Sequence, residues 1–378
     1  MTKQIYTEII SNDYLEKKEE IKGLSVLEVK IRAGERLAGW AEEEKRLRER
    51  EAIESKIALA EYDSHHACSQ IMAYRNLFRD SMQLDPKLNW VALYNDTPFE
   101  PFVFREVLPA HKKVDKDMKV PAKSIWEIFL PARKEKRLSR EEMAMRILKE
   151  KLDRHEERKA VEKRAYETAR SLYLEKQGEL NDFVDQLKFA YETGKPHGIE
   201  GYVRLVLAKS AYPGGVEKDF EVLYDKTGHT VIVNYLLPDI NDLPSTTEYE
   251  YRAESDEIAP VEMETIELWD FYRSVLVQIA VRTIYEIFRS DYRKMIGNVG
   301  FNGWLISGGE TGDREHAWSL ITCKASRENY DKMDPEKGSP EEIFRELKGV
   351  MAKSPAMNDA VQPLVNILIE GSRFTEPL

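Results

Sequence analysis

Cysteine is almost missing from this 378-residue chain, which has only Cys68 and Cys323. Two thiols this far apart cannot build a disulfide framework or a four-cysteine zinc site, and such usage fits a reducing compartment. Long apolar runs are missing as well. No stretch approaches the roughly 18 uninterrupted apolar residues of a membrane-spanning helix. The opening Met1-Thr2-Lys3-Gln4-Ile5-Tyr6 leads into no apolar signal-peptide core. Glycine (19) and proline (16) are scarce, which excludes collagen-like and mucin-like chains. Positive charge is in deficit: 57 Lys and Arg against 68 Asp and Glu leave a net charge of −11. The chain as a whole is therefore no polybasic coat for nucleic acid. The expectation is a cytoplasmic protein with no membrane contact and no cofactor.

What is present is charge in general: 33% of residues are charged and 42% hydrophobic, the mixture of long helices with solvated faces. A first helical segment opens at Ser25, with Glu28 in capping-box spacing, and runs without proline to about Met82. The mixed-sign run from Glu42 to Glu51 marks an exposed face. Apolar residues at Ile53, Ile57, Ala60, Ala67, Ile71, Tyr74 and Phe78 mark one buried stripe. A second segment starts at the capping-box pair Ser139 and Glu142 and stops at Gly194-Lys195-Pro196. Two such helices, each reaching roughly 85 Å at 1.5 Å per residue, predict a long antiparallel coiled-coil hairpin able to form homo-oligomers. Between them, residues 83–138 hold six prolines, which forbid a long helix, and seven large aromatic rings, which predict packing against something.

Beyond Pro196 the period changes. A short helix over 199–210 precedes two alternating runs, Phe220–Tyr224 and Val231–Tyr235, which read as a hairpin around Lys226-Thr227-Gly228. A strand at 247–251, an apolar helix at 263–289, strands at 299–306 and 318–323, a helix at 340–347 and a final strand near 364–369 complete the pattern. The fold class is α+β: the helical hairpin, then a C-terminal α+β domain with a mostly antiparallel sheet. The expected division is 1–82, 83–138, 139–195 and 196–378.

Few residues suit catalysis. Glu28-Val29-Lys30 and Glu157-Arg158-Lys159 match the acidic-x-Lys tail of a Mg²⁺ nuclease motif, but both fall on helices rather than adjoining strands. His65, His66 and Cys68 lack the second half of a zinc pattern and read as a surface pair beside a small buried cysteine. Ser307 and Ser339 have no histidine partner nearby in sequence. Gly308, Gly309 and Gly312 lead into no helix and read as a hairpin turn rather than a phosphate cradle. No catalytic or metal-ligating residue is assigned.

Charge distribution is more informative. Between Arg105 and Arg140 eleven basic residues face five acidic ones, a local excess of six positive charges. The candidate nucleic-acid-binding residues are Lys112, Lys113, Lys119, Lys123, Arg133, Lys134, Lys136 and Arg137, with Trp126 and Phe129 placed to stack on bases. The plain alternative is a solvated connector. Residues 239–270 carry eleven acids against Arg252 alone, a face that repels DNA and suits a basic partner.

The stretches Asn234-Tyr235-Leu236-Leu237-Pro238, Val281-Arg282-Thr283-Ile284-Tyr285-Glu286-Ile287-Phe288, Phe301-Asn302-Gly303-Trp304 and Val361-Gln362-Pro363-Leu364, with Ala73-Tyr74-Arg75-Asn76-Leu77 nearer the start, stand in an order that resembles bacterial restriction endonucleases of the Mrr type. The resemblance is to the non-catalytic region of such proteins; their nuclease fold is expected to be absent here or supplied by a partner. It implies a non-catalytic recognition or scaffold component of a restriction-type, anti-phage system, with DNA and a nuclease or another defence subunit as partners. The alternatives are a DNA endonuclease with an unrecognised metal site, and a purely structural coiled-coil dimeriser.

Overall fold

The computed structural model describes residues 5–124, 130–214, 216, 218–307, 316–353, 360–365, 372 and 374. The chain divides into two compact units: a sheet unit, Met1–Leu88 with Ile199–Leu378, and a strap unit, Asn89–Gly198. In chain order the elements begin with β1 (Tyr6–Asn12), β2 (Lys17–Gly23), α1 (Val26–Arg75), α2 (Leu77–Met82), α3 (His111–Asp117), α4 (Pro131–Glu192) and α5 (Pro196–Lys209). They continue with β3 (Phe220–Asp225), β4 (Thr230–Leu236), β5 (Thr246–Arg252), β6 (Glu257–Glu262) and α6 (Thr265–Ser290). The last are β7 (Asn298–Ser307), β8 (His316–Ser326), α7 (Arg327–Lys332), α8 (Pro340–Glu346) and β9 (Val350–Met351).

The two long helices and the C-terminal sheet are as the sequence predicts, with shifted boundaries. Ser25 caps α1 by accepting from the Glu28 amide, and Glu28 answers by accepting from the Leu24 amide. The capping box at Ser139 is not used: α4 begins eight residues earlier at Pro131, whose missing N–H costs nothing in a first turn. The first segment is also not continuous to Met82, because α1 ends at Arg75 and α2 starts after Asn76. The stretch before Ser25, for which the sequence predicts no element, forms the β1–β2 hairpin. The final strand expected near 364–369 lies mostly outside the described residues.

Each long helix is covered within its own unit. The first half of α1 packs on the β1–β2 hairpin, where Ile10, Ala33 and Trp40 are buried together with Leu15 and Ile21 against them. Polar contacts fix the hairpin along the charged helix: Asn12 Nδ2 donates to Glu44 at 2.7 Å and Arg36 Nε to Glu19 at 2.7 Å. The second half packs on β5. There the Ser64 hydroxyl accepts from the Tyr249 amide at 2.7 Å, and Lys56 pairs with Asp256 at 2.7 Å.

The main sheet has the order β3-β4-β7-β8-β9, antiparallel except where β4 and β7 run parallel. The edge strand β3 is closed by α5. Arg204 donates to the Val222 carbonyl at 2.8 Å and Glu200 accepts from the Tyr224 amide at 2.9 Å, so its outward polar groups are unavailable to another strand. Helix α6 has sixteen buried residues of 26, the pattern of a helix enclosed on all sides. Two of them read the break in the first segment. Gln278 donates to the Tyr74 carbonyl at 3.1 Å and accepts from the Phe78 amide at 3.2 Å. One turn on, Arg282 donates to the carbonyls of Leu77 (3.3 Å) and Ala211 (2.7 Å), to the Ser210 hydroxyl (2.8 Å) and to Glu286 (2.8 Å). Its guanidinium also lies 4.2 Å from the centre of the Tyr212 ring. Gln278 thus satisfies a carbonyl at the end of α1, and one buried, paired cation satisfies those of Leu77 and Ala211 beside it.

Replacing Glu286 with Ala strands that guanidinium without its counter-charge. The expected loss is about 3–5 kcal/mol, read as a lower denaturant midpoint with an unchanged slope. A variant as stable as wild type would contradict this account of α6.

Candidate nucleic-acid interface

The basic residues of interest all lie in the strap unit, whose frame is α4 and an extended segment running along it. Pro98 and Pro101 keep residues 95–106 out of any helix. The segment is pinned at regular intervals to one face of α4. The Asn95 amide donates to Asn181 at 2.9 Å, and Gln177 Nε2 donates to the Thr97 carbonyl at 2.9 Å. The hydroxyls of Tyr173 and Tyr166 donate to the carbonyls of Thr97 and Glu100, each at 2.8 Å. Arg158 grips Glu106 with two nitrogens, at 2.8 and 2.5 Å. These helix positions are separated by whole turns and share a face. The lengths agree: eleven residues of extended chain span about 36 Å, and the 23 residues of helix from Asn181 back to Arg158 rise about 35 Å.

The rings in this segment pack, as the sequence predicts. Phe99 lies 5.3 Å from Tyr166 and 5.2 Å from Tyr173, Phe102 lies 5.3 Å from Tyr166, and Phe104 meets His155 edge-on at 5.1 Å. The charged block from Arg154 to Arg164, which interrupts the apolar periodicity, is where Arg158 holds Glu106. That guanidinium keeps the Glu106 carboxyl below the usual carboxylate range.

The strap delivers α3 to the N-terminal half of α4. Val114 is buried in the contact between the two helices. Arg140 Nη1 donates to the Lys119 carbonyl at 2.8 Å, and Lys151 lies 4.0 Å from Asp117. Lys119 ends α3 in the left-handed region, φ 49°. Glycine normally takes that place, and a lysine there costs about 1 kcal/mol.

Lys112 and Lys113 stand exposed on α3, Lys119 and Lys123 are exposed after it, and Arg133, Lys134 and Lys136 are exposed on the first turns of α4. None of these seven forms an ion pair among the described residues. The neighbouring acids are engaged elsewhere: Asp115 with His111 at 2.7 Å, Glu141 with Arg137 at 2.5 Å and Glu142 with Arg146 at 3.0 Å. Glu135 stands exposed among the cations. Arg137 departs from the expectation. It is buried and paired within α4, so it belongs to the frame rather than the surface. Lys116, also exposed, extends the patch, and Arg140, outside the eight candidates, ties α3 to α4. Trp126 and Phe129 lie outside the described residues. The first turn of α4 contains no acid and carries Arg133, against the preference for negative charge at the positive end of a helix.

The other sequence candidates have structural roles or none. Glu28 caps α1 and pairs with Arg32; Ser339 caps α8. Cys68 is exposed, contrary to the expected burial, and the neighbouring Ala67 takes the buried position; the buried thiol is Cys323. Gly308, Gly309 and Gly312 lie outside the described residues. Among the described residues no three His, Cys, Asp or Glu side chains converge as a metal site, and no helix is long and apolar enough to cross a membrane. The acid-rich stretch 239–270 forms the β5–β6 hairpin and the start of α6 in the sheet unit. Comparison with protein-family models, curated proteins and solved structures finds no match to this chain.

Because Glu106 is held below its ordinary pKa in the folded strap, its pairing stabilises the strap at all pH values above the ordinary glutamate range. That contribution is lost as pH falls through the lowered value. Hydrogen exchange in peptides covering 100–110, corrected for its intrinsic pH dependence, should accelerate only in that acidic window. In Glu106→Gln the acid step should disappear, with faster exchange already at neutral pH. An unchanged profile would show that the pair does not hold the strap.

Proposed function

We propose that the chain is a non-catalytic, nucleic-acid-binding scaffold that grips a phosphate backbone with the basic patch on α3 and the start of α4. The observation that supports this most is the set of seven exposed cations without acidic partners among the described residues, in a protein whose net charge is −11. An ordinary solvated helix end would be laced with ion pairs, as the middle of α1 is. From Lys112 to Lys116 is about 6 Å along α3, and from Arg140 to Arg133 about 10 Å along α4. The patch therefore spans several phosphates. Contacts of this kind position a backbone and carry no base sequence by themselves. A place in a restriction-type defence system, beside a nuclease partner, rests on the sequence resemblance.

The test is an anisotropy titration of the full chain with single- and double-stranded DNA at several salt concentrations. Binding should weaken with salt as counterions are displaced. Changing Lys112, Lys113, Arg133, Lys134 and Lys136 to Ala should lower the affinity and reduce the slope of log K against log salt by up to about 4 units. Arg137 is left in place because it supports α4. Equal binding by the five-site variant, or none by wild type at micromolar protein, would overturn the proposal. Cleavage with Mg²⁺ that one Asp or Glu substitution abolishes would favour the endonuclease instead.

A further inference from the structure

The start of α1 has a second apolar side, away from the β1–β2 hairpin. Val29, Ala33 and Trp40 are buried on the hairpin side. Facing away from it, Leu27, Ile31, Gly34, Ala38 and Ala41 are all exposed. Leu27 keeps 70% of its surface in solvent and Ile31 54%; Leu24, just before the cap, keeps 60%. From Leu24 onward these positions are separated alternately by three and four residues, the a and d places of a heptad seam. The seam ends where Lys45 and Arg48 take the next two places, paired with Glu49 and Glu44 of the same helix.

Gly34 lies in the middle of this seam. An added Cβ there would meet nothing within 4 Å, so packing inside the chain gives no reason for a glycine. In a helix interior glycine is the least favourable residue after proline. Its use is to let another backbone come close, and Ala38 and Ala41 continue the same low strip.

The flanks select the occupant. Lys30 and Glu35 border the seam at g and at the following e, both exposed and, among the described residues, in no ion pair. Their neighbours are paired within the chain, Glu28 with Arg32 at 2.8 Å and Arg36 with Glu19 at 2.7 Å. In two identical parallel helices each g residue lies beside the next e residue of the other helix. Lys30 then meets Glu35 of the second copy, and two-fold symmetry makes the pair twice. The seam residues agree, because a β-branched Ile31 at a with Leu27 at d favours two parallel strands.

We propose that residues 24–41 form a parallel, two-stranded coiled coil with the same stretch of a second copy of this chain. A seam this short makes a small interface, so the dimer assembles in the micromolar range. This pairing is independent of the nucleic-acid reading.

The experiment uses the full-length chain with Cys68→Ser, which removes the exposed native thiol. Under mild oxidation Leu27→Cys should form a disulfide-linked dimer, because a parallel pair sets the two copies of residue 27 face to face. Val26→Cys, one residue off the seam, should cross-link roughly tenfold more slowly, since a disulfide needs closely opposed Cβ atoms. In sedimentation, Lys30→Glu should weaken the dimer roughly fivefold by placing like charges together twice. Lys30→Glu/Glu35→Lys should restore it, and Ile31→Glu should leave a monomer, with circular dichroism of the single chain unchanged in each. A wild type monomeric throughout the micromolar range would overturn the proposal. So would Leu27→Cys that fails to cross-link, as an antiparallel pair or cover from within one chain requires, equal cross-linking of the two cysteines, or no recovery in the charge exchange.

Discussion

A helix charged on nearly every side leaves only a narrow stripe to bury, and a narrow stripe accepts only a narrow partner. Both long helices obey this constraint. On α1 the partners are β-hairpins, joined to the charged flanks by pairs such as Arg36 with Glu19 and Lys56 with Asp256. On α4 the partner is a single extended strand that contributes rings at Phe99, Phe102 and Phe104 and otherwise offers its carbonyls to Tyr166, Tyr173 and Gln177. The candidate function depends on this arrangement. The strap brings α3 to the start of α4, and that contact joins two short runs of lysine and arginine into one patch.

Local signals in the sequence were legible where chemistry is local. The cap at Ser25, the stop at Gly194, the Phe220–Tyr235 hairpin and the greasy helix at α6 are all present with small shifts. Signals that depend on a distant partner were not. The strand Lys17–Gly23 is mostly charged, so its pairing shows only once α1 covers the other side of the hairpin. Ser139 and Glu142 have the spacing of a cap, but Pro131 already satisfies the requirements of a first turn. The apolar period showed which residues of α1 and α4 are buried without showing what covers them.

The same limit applies to the interface. A count of charges locates the basic segment, and seven of its eight candidate residues are exposed. It cannot separate Arg137 from its neighbours, because Arg137 differs only in facing inward beside Glu141.

The central claim is that the basic patch of the strap unit is the surface that meets nucleic acid. The most direct measurement is photo-cross-linking of the full chain to an oligonucleotide containing 4-thiothymine, followed by mapping of the attached peptides. Cross-links concentrated in residues 110–140 are the predicted result. Cross-links confined to residues 199–378, or none at protein concentrations that saturate a known DNA-binding control, would contradict the account.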